Sequence, residues 1–264
     1  MTLNDAAGRL LLVGCGAMAG AMLVRWLETG LDPAQVTAIS PSGRPMPSGV
    51  RVLPAIPTEL FDTVLLGFKP QQLATVRPQL QRLAPRVLVS ILAGVELATL
   101  RALSQAGAVV RAMPNLPVAI GKGVVAVYGD TDASMAALMR PLGLVEPIAD
   151  ERLFDVVTAL AGSGPGFLAR YIDATAAAGV ALGLPEDQAA RLALATVEGS
   201  AILAATSGTS PTALADRVAS PGGSTRRGLD VLDADDALHR LITATLAAAT
   251  QRNTEMAEAA RATR

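Results

Sequence analysis

The stretch RLLLVGCGAMAGAMLVRWLETG, residues 9–30, constrains the fold more than any other part of this chain. The four consecutive apolar residues Leu10–Val13 predict a strand that is buried on both faces. Gly14 and Gly16 then allow a tight turn, the following residues have the apolar spacing of a helix, and Gly30 ends it. A buried strand, a glycine turn and a helix in this order indicate the opening unit of a parallel α/β sheet.

The rest of residues 1–148 continues this alternation. Segments such as QQLATVRPQLQRL and ELATLRALSQAG have helical spacing, and around them lie the apolar runs VTAIS, VRVLP, TVLLGFKP, VLVSIL, VVRAMP and GVVAVYG. We therefore predict an α/β domain at residues 1–148, with a doubly wound parallel sheet of the Rossmann type. The prolines and glycines of PSGRPMPSG, residues 41–49, exclude a helix between the second and third strands, so we expect an extended crossover there.

From Asp150 onward the pattern is entirely helical. Alanine-rich segments carry apolar residues at helical spacing, and no β-branched run bounded by turns occurs. The breaks GSGPG, GLPED, SGTSP and SPGGS each contain residues that stop or start helices. We therefore predict an all-α domain at residues 149–264. Because the chain has only 3% aromatic residues, this domain would leave apolar faces uncovered alone, and we expect it to oligomerise.

Charge and residue counts exclude several classes of function. The formal net charge is −1 and the basic residues are scattered, so we expect no nucleic-acid partner. Charged residues interrupt the alanine-rich stretches before the roughly 20 apolar residues of a membrane span, and the N-terminus has no signal pattern. We therefore expect a cytoplasmic protein without a membrane partner. Cys15 is the only cysteine and His239 the only histidine, which argues against a disulfide, a metal site and a Cys-His or Ser-His nucleophile.

The segment GCGAMAG is a candidate dinucleotide site. Its glycines at 14, 16 and 20 depart from the commonest fingerprint, but a strand precedes them and a helix follows. Bare backbone amides at a helix start hold a pyrophosphate well, so we predict that four residues of this loop bind a dinucleotide: Gly14, Gly16, Ala17 and Met18.

The second strand ends in AISPSGR rather than in the acidic residue that takes the ribose of NAD. Ser40, Ser42 and Arg44 offer donors and a positive charge, which suits the extra phosphate of NADP. We therefore predict NADPH as the preferred cofactor, with NADH as the alternative. A solvated turn is the other interpretation of these residues.

Three later strand ends add further candidates at the carboxyl edge of the sheet, where ligands of such folds bind. For each of them, a structural turn is as good an interpretation as a cofactor contact. The residues are Phe68, Lys69 and Pro70 in GFKPQQL, Ala93 and Gly94 in SILAG, and Met113, Pro114 and Asn115 in RAMPNLP.

The loop VASPGGSTRRGL, residues 218–229, places two glycines and three hydroxyl side chains at the entrance of a predicted helix. One interpretation is an ordinary N-cap, in which a Ser or Thr side chain accepts from free backbone amides. The other is a ligand-binding loop, because so many donors converge there. The residues alone leave both open.

Taken together and in order, GCGAM, FKPQQL, SILAG, RAMPNLP, DVVTALAGSGPGFL and SPGGSTRRGLDVL resemble the pyrroline-5-carboxylate reductase family. The resemblance implies NAD(P)H-dependent reduction of 1-pyrroline-5-carboxylate to L-proline, by a homodimer or a decamer of dimers. It also implies that the helical domain binds substrate and that the loop grips the substrate carboxylate, with the Thr225 hydroxyl at the ring nitrogen as the catalytic contact. The loop residues concerned are Ser220, Gly222, Gly223, Ser224 and Thr225.

Two alternatives remain at this stage. One is a related NAD(P)H-dependent imine or keto-acid reductase of the same superfamily, which the departures Leu116, Ala161 and Gly166 from the usual family residues leave open. The other is a dinucleotide-binding protein without catalytic turnover. The intact SPGGST loop argues against this alternative, because such a protein would not need a loop that binds a carboxylate.

Overall fold

The structure is a computed structural model that describes residues 1–262. Two compact units are present: one comprises Met1–Ser163 and the chain from Ala248 onward, and the other comprises Gly164–Ala247. The predicted domain boundary at residue 148 directly follows the last strand, whereas the two compact units divide after Ser163. The roles assigned to the two predicted domains remain predictions. Thr263 and Arg264, which the predicted helical domain includes, lie outside the described residues.

The first unit is built on one sheet of eight strands in the order β3-β2-β1-β4-β5-β6-β7-β8. All neighbouring strands are parallel except β6 and β7, which are antiparallel. This confirms the predicted doubly wound, mostly parallel sheet. The strands are β1 (Leu10–Val13), β2 (Val36–Ile39), β3 (Arg51–Leu53), β4 (Thr63–Leu66), β5 (Val87–Ser90), β6 (Ala108–Pro114), β7 (Gly123–Gly129) and β8 (Gly143–Pro147).

Helices cover the sheet and make up the second unit. Those of the first unit are α1 (Leu3–Ala7), α2 (Ala17–Glu28), α3 (Leu73–Leu80), α4 (Leu97–Arg101), α5 (Ala133–Met139) and α6 (Phe154–Val157), the last followed by a π-helical turn, Thr158–Gly162. The others are α7 (Gly164–Ala181), α8 (Glu186–Thr206), α9 (Pro211–Arg217), α10 (Ser224–Asp233) and α11 (Ala237–Ala262), which runs back into the first unit.

The apolar runs form strands because both of their faces are covered. Every residue of β1, β2, β4 and β5 is buried. Along β1, Leu10 and Leu12 belong to a core cluster that contains Trp26, whereas Leu11 and Val13 belong to a second cluster on the other face. The Trp26 indole N–H donates to the Leu138 carbonyl oxygen at 2.7 Å, which pins α2 to α5.

The crossover from β2 to β3 contains no helix, as predicted. The turn after β2 is closed by hydrogen bonds to Ser40, whose carbonyl oxygen accepts the Gly43 N–H at 3.0 Å and whose hydroxyl oxygen accepts the Arg44 N–H at 3.0 Å. The connection therefore lies as a loop beyond the carboxyl end of β2.

The second unit leaves most of its apolar surface uncovered within one chain. Among residues 164–247 the buried side chains are Ala189, Ala193 and Ala219. Large side chains on the same helices are exposed, for example Leu194, Ile202 and Leu241. This pattern agrees with the prediction that the helical part oligomerises.

By length and composition alone, α8 would be able to cross a membrane. Arg191 and Glu198 do interrupt this helix, as expected from the sequence, and its Ala and Leu residues bring the mean hydropathy of its most apolar window to 1.2. Within the chain, 11% of its most apolar window is buried.

Candidate active site

The loops that follow β1 and β4 meet at the carboxyl edge of the sheet. β1 lies between β2 and β4, so the chain changes direction across the sheet between β1 and β4, where ligands of open α/β folds bind. Gly14 has φ +83°, and a β-carbon there would lie 2.8 Å from the backbone nitrogen of Phe68. A β-carbon at Gly67 would lie 2.8 Å from the Gly14 carbonyl oxygen. Glycine is required for this close approach.

Helix α2 begins beside this contact without a side-chain cap. Gly16 is its N-cap residue, and no described residue accepts from the backbone N–H groups of Ala17, Met18 and Ala19. A β-carbon at Gly16 would have the Gly67 carbonyl oxygen, at 3.9 Å, as its nearest neighbour. Open space next to free amides at the positive end of a twelve-residue helix fits a pyrophosphate.

The three candidates after β2 have different environments. Ser40 is buried and holds the turn, whereas Ser42 and Arg44 are exposed. Burial raises the pKa of the Cys15 thiol, and the positive charge of Arg44 acts in the opposite direction. Arg44 is therefore close enough to act on the glycine loop electrostatically, and its side chain has no partner among the described residues.

The candidates after β4 and β5 lie along the same edge. Phe68 packs partly into the core, Lys69 is exposed and Pro70 opens a short 3-10 turn. Ala93 is exposed, but Gly94 is approached by α11, since a β-carbon there would lie 3.1 Å from the Ala257 Cα atom. No pattern in the sequence predicts this contact between Gly94 and α11.

The MPN motif at the end of β6, residues 113–115, is more buried than expected for residues that contact a cofactor at an open sheet edge. Pro114 and Asn115 are buried and Met113 is half-buried. The Asn115 amide donates to the Ala161 carbonyl oxygen at 2.9 Å, and its Oδ1 atom accepts the Val124 N–H at 2.8 Å. The side chain is thus committed to the backbone on both sides, and its predicted cofactor contact stays a prediction.

Two motifs that are distant in sequence therefore meet at this edge. Ala161 and Gly162 belong to the π-helical turn, and a β-carbon at Gly162 would lie 2.9 Å from Met113 Sδ. π-helical turns are rare and often occur at functional sites. The sequence analysis noted the glycine-rich segment AGSGPG, which begins with Ala161 and Gly162, but did not predict that these two residues contact Asn115 and Met113.

The SPGGST loop lies in the second unit. Gly223, not a serine, is the N-cap of α10, so the interpretation as a Ser or Thr cap was wrong. Gly222 has φ +72°, a conformation that favours glycine, and the Gly223 N–H donates to the Ser220 carbonyl oxygen at 2.9 Å. The hydroxyl groups of Ser220, Ser224 and Thr225 are exposed and have no partner among the described residues.

The first turn of α10 is open to a ligand. No described residue accepts from the backbone N–H groups of Ser224, Thr225 and Arg226. The Arg226 side chain instead donates to Asp216 at 2.7 Å, and this hydrogen bond raises the pKa of Arg226. The Asp216 carbonyl oxygen also accepts the Ala219 N–H at 3.1 Å, so both ends of the loop are braced by one residue.

The structure thus groups the predicted cofactor residues along one sheet edge of the first unit and the predicted substrate residues at one helix start of the second. Cavities lie elsewhere: one of about 610 Å³ beside α5 and β8, and one of about 130 Å³ near the start of β4. Within the described part of the chain, no cluster of three or more His, Cys, Asp or Glu residues is arranged to hold a metal ion.

Comparison with known proteins agrees with this arrangement. Residues 151–256 match the family model for pyrroline-5-carboxylate reductase dimerisation. The pyrroline-5-carboxylate reductase of Pseudomonas aeruginosa is 33% identical over 269 aligned positions, which cover 95% of this chain and 97% of that protein. The structure of the Coxiella burnetii pyrroline-5-carboxylate reductase matches with a TM-score of 0.83 and 28% identity, over 94% of this chain and 97% of that one.

A Plasmodium falciparum pyrroline carboxylate reductase with NADP bound has the same fold. It matches with a TM-score of 0.80 at 22% identity, over 94% of this chain and 98% of that one. The relative from Pseudomonas aeruginosa, which matches over nearly the whole of both chains, settles the family: this chain belongs to the pyrroline-5-carboxylate reductases.

Proposed function

We propose that this chain carries out the reaction of its family, the NAD(P)H-dependent reduction of 1-pyrroline-5-carboxylate to L-proline, with the cofactor at the sheet edge and the substrate at α10. The observation that carries the proposal is the exposed first turn of α10, with free amides and free hydroxyl groups braced by Asp216. Such a turn suits a small carboxylate.

The diphosphate of the cofactor is assigned to the loop from β1 to α2. Gly14 lets this loop approach Phe68, Gly16 leaves the space beside it open, and the N–H groups of Ala17 and Met18 have no acceptor among the described residues. We assign the cofactor's 2′-phosphate to Ser42 and Arg44, with Ser40 holding the turn. Since no carboxylate stands there, NADPH is the preferred form and NADH the alternative.

The nicotinamide end of the cofactor is assigned to the remaining strand ends of the same edge. Side chains and backbone there offer flat apolar contact and a few polar groups, a combination typical of cofactor sites. These residues are Phe68, Lys69, Pro70, Ala93, Gly94, Met113, Pro114 and Asn115.

The substrate is assigned to the loop at α10. The backbone amides of Ser224 and Thr225 would hold the carboxylate, and Ser220, Gly222 and Gly223 shape the turn that lets it approach. The Thr225 hydroxyl oxygen would accept a hydrogen bond from the protonated ring nitrogen, or its O–H would donate one to the product nitrogen, and so orient the ring. When bound, NAD(P)H supplies the hydride.

No acidic side chain is required for this step. The pyrroline nitrogen arrives protonated, so its neighbouring carbon is already electrophilic, and the protein has to anchor, orient and exclude water. The single histidine, His239, fits this picture, because its ring lies on the surface beside Asp236 at 3.0 Å.

We also propose that the active form is at least a homodimer, in which second units cover one another's apolar faces. A decamer of dimers is the larger alternative. The dimerisation model that matches residues 151–256 and the exposed Leu and Ile side chains support association. We place the protein in the cytoplasm, with no nucleic-acid or membrane partner.

The test is oxidation of NADPH by purified protein with 1-pyrroline-5-carboxylate, together with light scattering. We expect NADPH consumption that depends on substrate, and a mass above that of one chain. Absence of consumption across a range of pH would refute the function, and a fully active monomer would refute the oligomer. Proline-dependent reduction of NADP⁺ at high pH checks the reverse reaction.

A further inference from the structure

Arg111 places a charge inside the sheet, in the middle of β6. Its side chain is 7% exposed, and its Nη1 atom donates to Glu151 Oε1 at 3.0 Å. Its guanidinium carbon lies 4.3 Å from the ring centre of Phe154, which packs edge-on against Tyr128. Desolvating an arginine is costly, so a residue that only had to pack would not be an arginine.

Glu151 connects this arginine to the start of helix α4. The Oε1 atom that accepts from Arg111 also accepts the Leu97 backbone N–H at 2.7 Å. Leu97 is the first residue of α4 and follows Gly94 by three positions. One carboxylate oxygen therefore ties β6 to the helix that ends the Ala93–Gly94 loop.

The segment that carries Glu151 is fixed to β6 at a second point. Asn115, four residues after Arg111, donates to the Ala161 carbonyl oxygen at the π-helical turn. Between these anchors, Asp155 accepts from Thr254 Oγ1 at 2.9 Å and from the Asn253 amide, through its backbone oxygen, at 3.0 Å. Glu151 is thus held in place from several sides.

A contribution to stability alone does not account for this arrangement. Buried ion pairs are frequently no more stabilising than well-packed apolar residues of the same volume. The ion pair instead determines positions: Arg111 holds the Glu151 Oε1 atom in place, and that oxygen holds the first backbone N–H of α4.

We propose that Arg111 is a positioning residue for the cofactor: through Glu151 it sets the start of α4 and hence the position of the Ala93–Gly94 loop. The inference rests on the proposed placement of NADPH along this edge. Arg111 itself is buried beneath the edge and is not assigned a contact with cofactor or substrate.

The test compares Arg111→Met with wild type in two measurements. In the cofactor-free protein, we expect the Leu97 amide to exchange its hydrogen about tenfold faster or more, with the amides of β1 unchanged. In the active enzyme, we expect the KM for NADPH to rise roughly fivefold to twentyfold, with a smaller change in kcat.

The matched control is Arg101→Met, at the other end of the same helix. Arg101 donates to Asp130 at 2.7 Å, and Asp130 also accepts the Val109 N–H at 3.0 Å, so this variant removes an exposed ion pair that likewise holds a backbone N–H, at the opposite end of α4 from Gly94. We expect this variant to keep the wild-type KM for NADPH. An equal rise of KM in both variants would overturn the inference.

Two further variants keep the test decisive. If Arg111→Met does not fold, the double variant Arg111→Met/Glu151→Gln leaves no unpaired charge, and we expect it still to show the raised KM. Glu151→Gln alone keeps an oxygen for both donors, and we expect its Leu97 exchange to remain near that of wild type. Unchanged Leu97 exchange without Arg111 would refute the inference, whereas a wild-type protein inactive with 1-pyrroline-5-carboxylate would refute only the proposed function.

Discussion

Replacing Gly16 by alanine should weaken cofactor binding while leaving the fold intact. Its backbone, at φ −73° and ψ −165°, is ordinary for an L-residue, and the added methyl group would meet its nearest neighbour only at 3.9 Å. Alanine is poorer than glycine at an N-cap by about 1 kcal/mol, and it recovers about 0.4–1 kcal/mol through a less flexible unfolded chain. We therefore expect nearly the same melting temperature.

The same methyl group would occupy the space through which a pyrophosphate reaches the amides of Ala17 and Met18. Loss of one charge-assisted hydrogen bond costs about 1.5–3 kcal/mol, which corresponds to roughly a 10- to 150-fold weaker Kd. The comparison variant is Gly14→Ala, whose β-carbon would lie 2.8 Å from the Phe68 backbone nitrogen at φ +83°. That change should cost about 2 kcal/mol or more of folding stability before any cofactor is added.

Both variants are measured by thermal unfolding without cofactor and by fluorescence titration with NADPH. We expect Gly16→Ala to lose affinity with a normal fold, and Gly14→Ala to lose stability. If Gly16→Ala folds normally and binds NADPH as tightly as wild type, the start of α2 does not hold the pyrophosphate.

Three further predictions concern the two sites. Arg44→Ala should raise the KM for NADPH but not for NADH, because it removes a contact worth about 1.5–3 kcal/mol if that contact is charge-assisted. An equal rise of the KM for both cofactors would exclude a phosphate contact. Thr225→Val should lower kcat roughly 10- to 100-fold with little change in NADPH affinity, and Ser224→Ala, its neighbouring control, should not; normal turnover would remove the catalytic role. Because burial raises the pKa of the Cys15 thiol, the thiol should stay protonated near neutral pH and react with a disulfide reagent more slowly than free cysteine does. The reaction rate should increase as the pH rises and decrease when NADPH is present. A rate equal to that of free cysteine would contradict this prediction.

The strands were predictable where burial leaves a strong pattern. β1, β2, β4 and β5 are buried throughout, and their continuous apolar runs follow directly from that environment. β8 was missed because it is an edge strand: in GLVEP, Leu144 is 60% exposed, and Glu146 and Pro147 are exposed as well, so no buried run marks it.

The site was predictable where its cause is local. Gly14 and Gly16 lie in the turn between β1 and α2, and their spacing predicts that turn, but the close approach of Gly14 to Phe68 has no local signal. Asn115 contacts Ala161, 46 positions away, and Arg111 contacts Glu151, 40 positions away, so no local sequence pattern predicts either contact. The N-cap of α10 was missed for another reason: serine and glycine both suit that position, and only the backbone geometry shows that Gly223 takes it.

The exposure of the proposed substrate loop, residues 220–225, connects the proposed chemistry to association of the chains. Transfer of a hydride to an iminium carbon requires that water is kept out, yet Ser224 and Thr225 are exposed within one chain. The buried side chains among residues 164–247 are all alanines, whereas large Leu and Ile side chains there are exposed, so within one chain this unit has no core of large side chains to provide such a cover. We expect the cover to come from the bound molecules and from another copy of the chain. Substitutions of the exposed Leu and Ile side chains of the second unit should for this reason lower kcat as well as the mass of the assembly in light scattering.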